Sequence, residues 1–200
     1  MDGINGLAGS QVLMTGVGTA LVALAAGAPT HHPAVRLSLL VAGAAAGFLP
    51  HNFPRARVFM GDSGSVPLGF LLTVLGCWIA RDFGWALVIP LGMLHANFAF
   101  DTGVTLVRRW RRGEVLHQGH REHFYQRLTR GGWSHTKVTM FEVILQFVAL
   151  GLVLLTIKSG WPWWADVLPI AAMWGGFFVV CEQTFTRQGS VRATAAKASV

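Results

Sequence analysis

The sequence predicts an all-α protein that crosses a membrane about six times, and three observations carry that reading. Charged residues make up 12% of the 200 residues while apolar ones reach 52%, with a mean hydropathy of +0.49. Soluble proteins carry roughly 25% charged residues, and nine acidic plus sixteen basic side chains cannot clothe a globule of this size. The same composition excludes intrinsic disorder for most of the chain. The second observation is the spacing of the charges, and the third is their sidedness.

Taken in order, the charges leave long gaps. No Asp, Glu, Lys or Arg occurs in 3–35, 37–54, 63–80 or 83–100, and shorter clear windows follow at 143–157 and 167–181. A spanning helix needs roughly 20 mostly apolar residues. The windows therefore predict spans near 11–28, 35–50, 66–80, 84–107, 139–157 and 163–181. Six such helices buried in a soluble core would leave nothing for the solvated exterior.

With six spans, the loops 50–65 and 108–138 share one side of the membrane with the tail after 181. That side collects thirteen of the sixteen Lys and Arg residues, leaving Arg36, Arg81 and Lys158 on the other. An excess of cations marks the cytoplasmic face, so the C-terminus is expected in the cytoplasm. Trp78, Trp85, Trp161, Trp163 and Trp164 gather at the opposite interface, where amphipathic rings settle. Gly43 and Gly47 have the small-xxx-small spacing of close helix packing. Residues 1–185 read as the membrane domain, and 186–200, rich in Ser, Thr and Ala, as a disordered tail. Cys77 and Cys181 both lie in apolar runs and indicate no disulfide or zinc framework.

Three polar clusters fall at cytoplasmic membrane ends. The first is Asp2 to Gly9, the second runs from Asn52 to Ser65 and contains Arg55, Arg57, Phe59 and Asp62, and the third includes His117, His120, Arg121, Glu122, His123, Tyr125, Gln126 and Arg127. Each has a plain reading as a turn or a lipid-facing basic anchor. Their convergence on one face suits a phosphate-bearing substrate. Carboxylates from separate segments hold Mg²⁺ together with substrate phosphates, glycines admit a phosphate close to the backbone, and Arg and His neutralise charge. Asp101 lies inside the fourth span, where a carboxylate is costly unless it lines a cavity or has a partner; a functional role and a structural pair with an arginine are both open.

Two coincidences carry no weight. Gly61-Asp-Ser-Gly64 matches a serine-protease signature, but a soluble β-barrel has no place among these spans. The basic loop with Trp110 and Trp133 imitates a nucleic-acid patch, yet membrane sidedness explains its cations, so no nucleic-acid partner is expected.

Met1-Asp-Gly-Ile-Asn-Gly-Leu-Ala-Gly resembles the first motif of the polyprenyl-phosphate N-acetylhexosamine-1-phosphate transferases. Pro54 to Ser65 resembles that family's Val-Phe-Met-Gly-Asp segment almost position for position. Asp101-Thr102 followed by Arg108-Arg109, and His120-Arg-Glu-His123-Phe-Tyr-Gln-Arg-Leu128, resemble two further family patterns, the last in its O-antigen-initiating form. Order and spacing agree over residues 1 to about 185.

The resemblance implies that a polyprenyl (undecaprenyl) phosphate attacks the β-phosphorus of a UDP-N-acetylhexosamine, releasing UMP, for cell-wall or O-antigen polysaccharide synthesis. It implies Mg²⁺, with Mn²⁺ as a substitute, held by Asp62. Asp2, Asp62, His120 and His123 become the catalytic set, and Asn5, Asn52, Phe59 and Arg121 the substrate-binding set, with Phe59 stacking on uracil and Asp101 in support. Where some members carry further histidines, this chain has Arg121-Glu122. Family members also place about four or five helices and an Asp-Asp-rich motif before the first motif. The resemblance therefore implies that the chain is N-terminally truncated and that this fragment alone is inactive. A non-catalytic membrane module binding lipid phosphate or nucleotide stays open as an alternative, as does a homodimer. A transporter using Asp101 has no broken-helix repeat behind it.

Overall fold

The computed structural model describes residues 3–115, 123–162 and 164–198, with side chains to residue 186. Its regular structure among those residues is helical. Helix α1 spans Leu7–Ala25, α2 Pro33–Asn52 and α3 Gly61–Phe83. A single 3₁₀ turn, Trp85–Leu87, leads into α4 (Val88–Met93) and α5 (Ala96–Arg111). The short α6 (Phe124–Arg130) follows, then α7 (His135–Ser159) and α8 (Trp164–Ala198).

Five of these helices are long and apolar enough to cross a bilayer, and the bent pair at 85–111 adds a sixth where it is counted as one broken span. This is a polytopic membrane protein. Sequence chemistry sets the helix ends: Pro33 starts α2 behind His32, whose Nδ1 accepts the Ala34 N–H, and Ser134 caps α7 by accepting the Lys137 N–H at 3.2 Å. Gly160, at φ 64°, closes α7 in the left-handed conformation.

Helix α1 is the hub. Within the protein, 72% of its apolar window is buried, against 22–33% for the other unbroken spans. Buried this way, two of its polar side chains find a partner at the break in the fourth span. Gln11 Nε2 donates to the Leu94 carbonyl at 2.9 Å, and Thr15 Oγ1 approaches the same oxygen at 3.4 Å. Non-helical backbone at membrane depth persists only where neighbours satisfy the freed groups.

The structure departs from the sequence reading at two places. The fourth span is not one helix: α4 and α5 meet at 76°, with Pro90 inside α4 and Gly92 near its end. The close helix approach falls at Gly16 of α1, where a Cβ would come within 2.8 Å of the Ser38 carbonyl oxygen. Gly43 and Gly47 instead face open space, so the expected packing role does not belong to them. Helix α8 runs to Ala198. Ala193, Ala195, Ala196 and Ala198 favour propagation, and a helix already nucleated in the membrane extends at low cost.

Candidate active site

Motif one is held in place from three directions. Gly6 sits before α1 at φ 80°, and its N–H donates to Asn52 Oδ1 at 2.7 Å. Asn52 ends α2, is buried, and spends its other polar atom on the Val58 carbonyl at 2.8 Å. Asn52, one of the residues expected to bind substrate, braces the loop between α2 and α3 against the start of α1. Asn5 donates from Nδ2 to the Pro54 carbonyl at 3.0 Å, which leaves its Oδ1 as an acceptor facing His135 Nδ1 at 3.2 Å. That ring nitrogen therefore carries the proton. One turn along α7, the Thr139 hydroxyl donates to the Asn5 main-chain oxygen at 2.7 Å.

The glycines of this motif follow from crowding. A Cβ at Gly3 would stand 3.1 Å from both Tyr125 Oη and Gln126 Nε2, so the first cluster lies directly against α6. A Cβ at Gly6 would meet the Phe53 ring at 2.6 Å, in a backbone conformation that L residues avoid. Gly6→Ala is expected to cost about 1–3 kcal/mol in backbone strain, with displacement of the ring adding about 1–3 kcal/mol. A thermal midpoint unchanged from wild type would contradict this.

The third cluster is anchored by the carboxylate inside the fourth span. Asp101 on α5 is buried, and its Oδ1 accepts the Phe124 N–H at 3.1 Å and the Thr105 hydroxyl at 3.2 Å. The same oxygen meets His123 Nδ1 at 3.1 Å. Of the two roles left open for Asp101, support of the histidine segment has a concrete geometry, with histidine in place of the arginine partner considered. Beneath α6, Phe124 stacks on Phe178 of α8 at 4.2 Å. Glu182 of α8 accepts from Arg108 at 2.9 Å and from Arg127 at 2.8 Å, so the C-terminal half of α8 clasps α5 and α6 together. Where α5 ends, the Arg109 hydrogen bond at 2.9 Å, assisted by Arg112, holds the Glu114 carboxyl below its usual range.

Phe59 and Asp62 stand apart from these networks. Phe59 is 61% exposed just before α3, and Asp62 is exposed in the first turn of that helix. No hydrogen bond or ion pair among the described residues engages the Asp62 carboxylate. Asp2, His120 and Arg121 lie outside the described residues. No group of three or more potential metal ligands forms among the described residues. Mg²⁺ takes one or two carboxylates and completes its shell with water and substrate phosphates, so a free carboxylate at Asp62 fits that demand.

A groove of about 450 Å³ opens beside Gly6 and Phe53 and runs between α1, α2 and α7, lined by residues such as Ser10, Leu49, Thr139 and Phe147. The site thus has a polar rim and an apolar flank. His135, Thr139 and Glu182 were not singled out from the sequence. His135 lies 130 residues from its partner Asn5, and no spacing rule links them.

A profile of the glycosyl transferase family 4 matches residues 1–80. The chain is also 33% identical over 171 residues to the decaprenyl-phosphate N-acetylglucosaminephosphotransferase of Mycobacterium tuberculosis, covering 76% of this chain and 41% of that protein. The chain belongs to glycosyl transferase family 4. A second relative in that group, the phospho-N-acetylmuramoyl-pentapeptide-transferase of Synechococcus sp., is 32% identical over 82% of this chain and 44% of its own length. The family 4 chain described here therefore spans less than half the length of these curated relatives. No solved structure matches it.

Proposed function

We propose that the protein transfers an N-acetylhexosamine-1-phosphate from a UDP-sugar to a polyprenyl phosphate, such as undecaprenyl phosphate, at the cytoplasmic face of a bacterial inner membrane. The observation that carries this reading is the gathering of motif one, the α2–α3 loop and α6 at one membrane end, beside an apolar groove. The relatives named above act, by their names, in phosphosugar transfer, and one of them on decaprenyl phosphate. Such a reaction joins a soluble nucleotide to a lipid-embedded acceptor, so it needs a polar site opening onto both phases.

In the proposed step, a phosphate oxygen of the acceptor forms a bond to the β-phosphorus of the donor. The bond from that phosphorus to the oxygen bridging the α-phosphate breaks, and UMP departs with the electron pair. Products are a polyprenyl diphosphosugar and UMP, with no redox change. Phosphoryl transfer chiefly requires alignment and charge neutralisation. Asp62 would hold Mg²⁺, which when bound supplies positive charge to the phosphates. Asn5, fixed by Pro54 and His135, and the exposed ring of Phe59 would hold the nucleotide. His123, steadied by Asp101, would face the phosphates together with His120 and Arg121. The groove would receive the first isoprene units, and the cation-rich loops and C-terminus would lie in the cytoplasm. Synthesis of a cell-wall or O-antigen glycan is the expected setting.

The test uses membranes containing the protein as its own gene encodes it, supplied with undecaprenyl phosphate, Mg²⁺ and sugar-labelled UDP-N-acetylglucosamine or UDP-N-acetylgalactosamine. Release of UMP in step with a labelled lipid diphosphosugar is expected. Release of UDP would place the bond cleavage at the sugar carbon and refute the mechanism. Saturable UMP binding with no turnover of either donor would move the protein to the non-catalytic alternative.

A further inference from the structure

We propose that the bent span contains a binding site for one internal water molecule, held between α5, α7 and α8 at membrane depth. The inference is independent of the transfer reaction. Its starting point is the hydrogen-bonding ledger of three buried side chains. Asn97, the second residue of α5, is 3% exposed; Gln146 on α7 is 6% exposed; Trp174 on α8 is 1% exposed. Asn97 donates from Nδ2 to Glu142 Oε2 at 3.1 Å, which fixes its amide and commits Oδ1 to the other side. That Oδ1, both polar atoms of Gln146 and the Trp174 indole N–H have no protein partner among the described residues.

These unpartnered groups share one space. Asn97, Gln146 and Trp174 line a single cavity, closed by Met14, Met93 and Leu94 among others. Its volume is about 10 Å³, measured as the room open to the centre of a water molecule. One internal water needs roughly 10–15 Å³ on that measure and two to four polar partners.

The chemistry of the lining selects the ligand. Asn97 Oδ1 and Gln146 Oε1 accept; Trp174 Nε1 and Gln146 Nε2 donate. A cation would face two N–H donors and an anion two carbonyl oxygens, while an apolar group would leave all four atoms unpaired. Water both donates and accepts, so it pairs with such a mixed set, and a volume of about 10 Å³ admits nothing larger. Its placement gives it a task. Asn97 lies one helical turn before Asp101, which anchors His123 and Phe124. A water joining Asn97 to α7 and α8 would set the register of α5 on the cytoplasmic side of the break.

The test is a double-mutant cycle on the protein as its own gene encodes it, purified in detergent, together with a map of the unaltered protein at about 2 Å. Gln146→Leu and Trp174→Phe are each expected to lower the thermal midpoint by a few degrees, about 2–4 °C. If both side chains bond one water, the double variant falls little further than the worse single one, because the first substitution already disrupts the site. The map is expected to show a peak within hydrogen-bonding distance of all three side chains. Strictly additive midpoint losses, or a cavity without a peak in a map that resolves other internal waters, would overturn the proposal. The map decides by itself if the double variant does not fold.

Discussion

Replacing Asp62 by alanine is expected to lower the transfer rate by on the order of 10³-fold while the protein stays folded in the membrane. The two halves of that expectation have separate grounds. Asp62 is exposed in the first turn of α3, and no described residue bonds its carboxylate, so its removal breaks no contact that holds the fold. As an exposed acid in a helix's first turn it contributes at most about 0.3–1 kcal/mol, so the midpoint should shift little. The loss of rate follows from the proposed role. A donor diphosphate and an acceptor phosphate approach each other as like charges, and a cation held at Asp62 would offset that repulsion. A tenfold rate change corresponds to about 1.4 kcal/mol of barrier, so several kcal/mol of lost charge stabilisation gives a thousandfold effect.

Asp62→Asn separates charge from shape. It keeps the size of the side chain and removes the anion, so it is expected to fail nearly as badly as Asp62→Ala. Chelation of divalent cations should abolish wild-type transfer, with Mg²⁺ restoring it in the wild type and not in either variant. Initial rates of lipid-linked label, read beside the thermal midpoint of each variant, check all of this. Activity of Asp62→Ala within a few-fold of wild type, at an unchanged midpoint, would remove the central site assignment.

Charge placement made most of the spans legible, because a charge-free window of sufficient length has few other uses in so apolar a chain. The break in the fourth span was not legible in the same way. Pro90 and Gly92 are visible in the sequence, but a bend of 76° is tolerable only because Gln11 and Thr15, 83 and 79 residues earlier, satisfy the Leu94 carbonyl. Gly43 and Gly47 show the same limit in reverse. Their spacing permits a close helix contact, yet the tertiary arrangement places that contact at Gly16. Within the candidate site, the residue types in motif one pointed to phosphate chemistry, but their division of labour is a matter of geometry. Asn52 and Asn5 are alike as letters. One is buried with both polar atoms committed to the backbone, and the other stands at the surface in contact with His135. The clasp made by Glu182 lay beyond sequence reasoning for another reason: it depends on α8 continuing past the membrane to reach α6.

Asp101→Ala is expected to lower both stability and transfer, the second by on the order of 10²-fold. The buried Phe124 N–H loses its acceptor, which costs roughly 1–3 kcal/mol, and the Thr105 hydroxyl loses its own. Asp101 lies on α5 whereas His123 and Phe124 begin α6, so this one oxygen ties the histidine segment to the bent span. Loss of the tie should loosen α6 and raise amide exchange over 124–130, while exchange in α1 and α3 stays as in the wild type. Misplacement of a phosphate-facing group by about 1 Å can itself cost a hundredfold in rate. Asp101→Asn offers the discriminating control. Its carbonyl oxygen can still accept the Phe124 N–H, so folding and amide exchange should recover, but the negative charge opposite His123 is gone. If Asp101 acts on the chemistry through His123, the Asn variant keeps a near-normal KM and a reduced kcat. Recovery of kcat together with stability would mean that Asp101 serves only to close α6 onto α5. The Glu182 clasp gives a comparison: Glu182 is 45% exposed but its partner Arg127 is buried, so Glu182→Ala should also raise amide exchange in α6, while the tie from Asp101 to His123 stays intact.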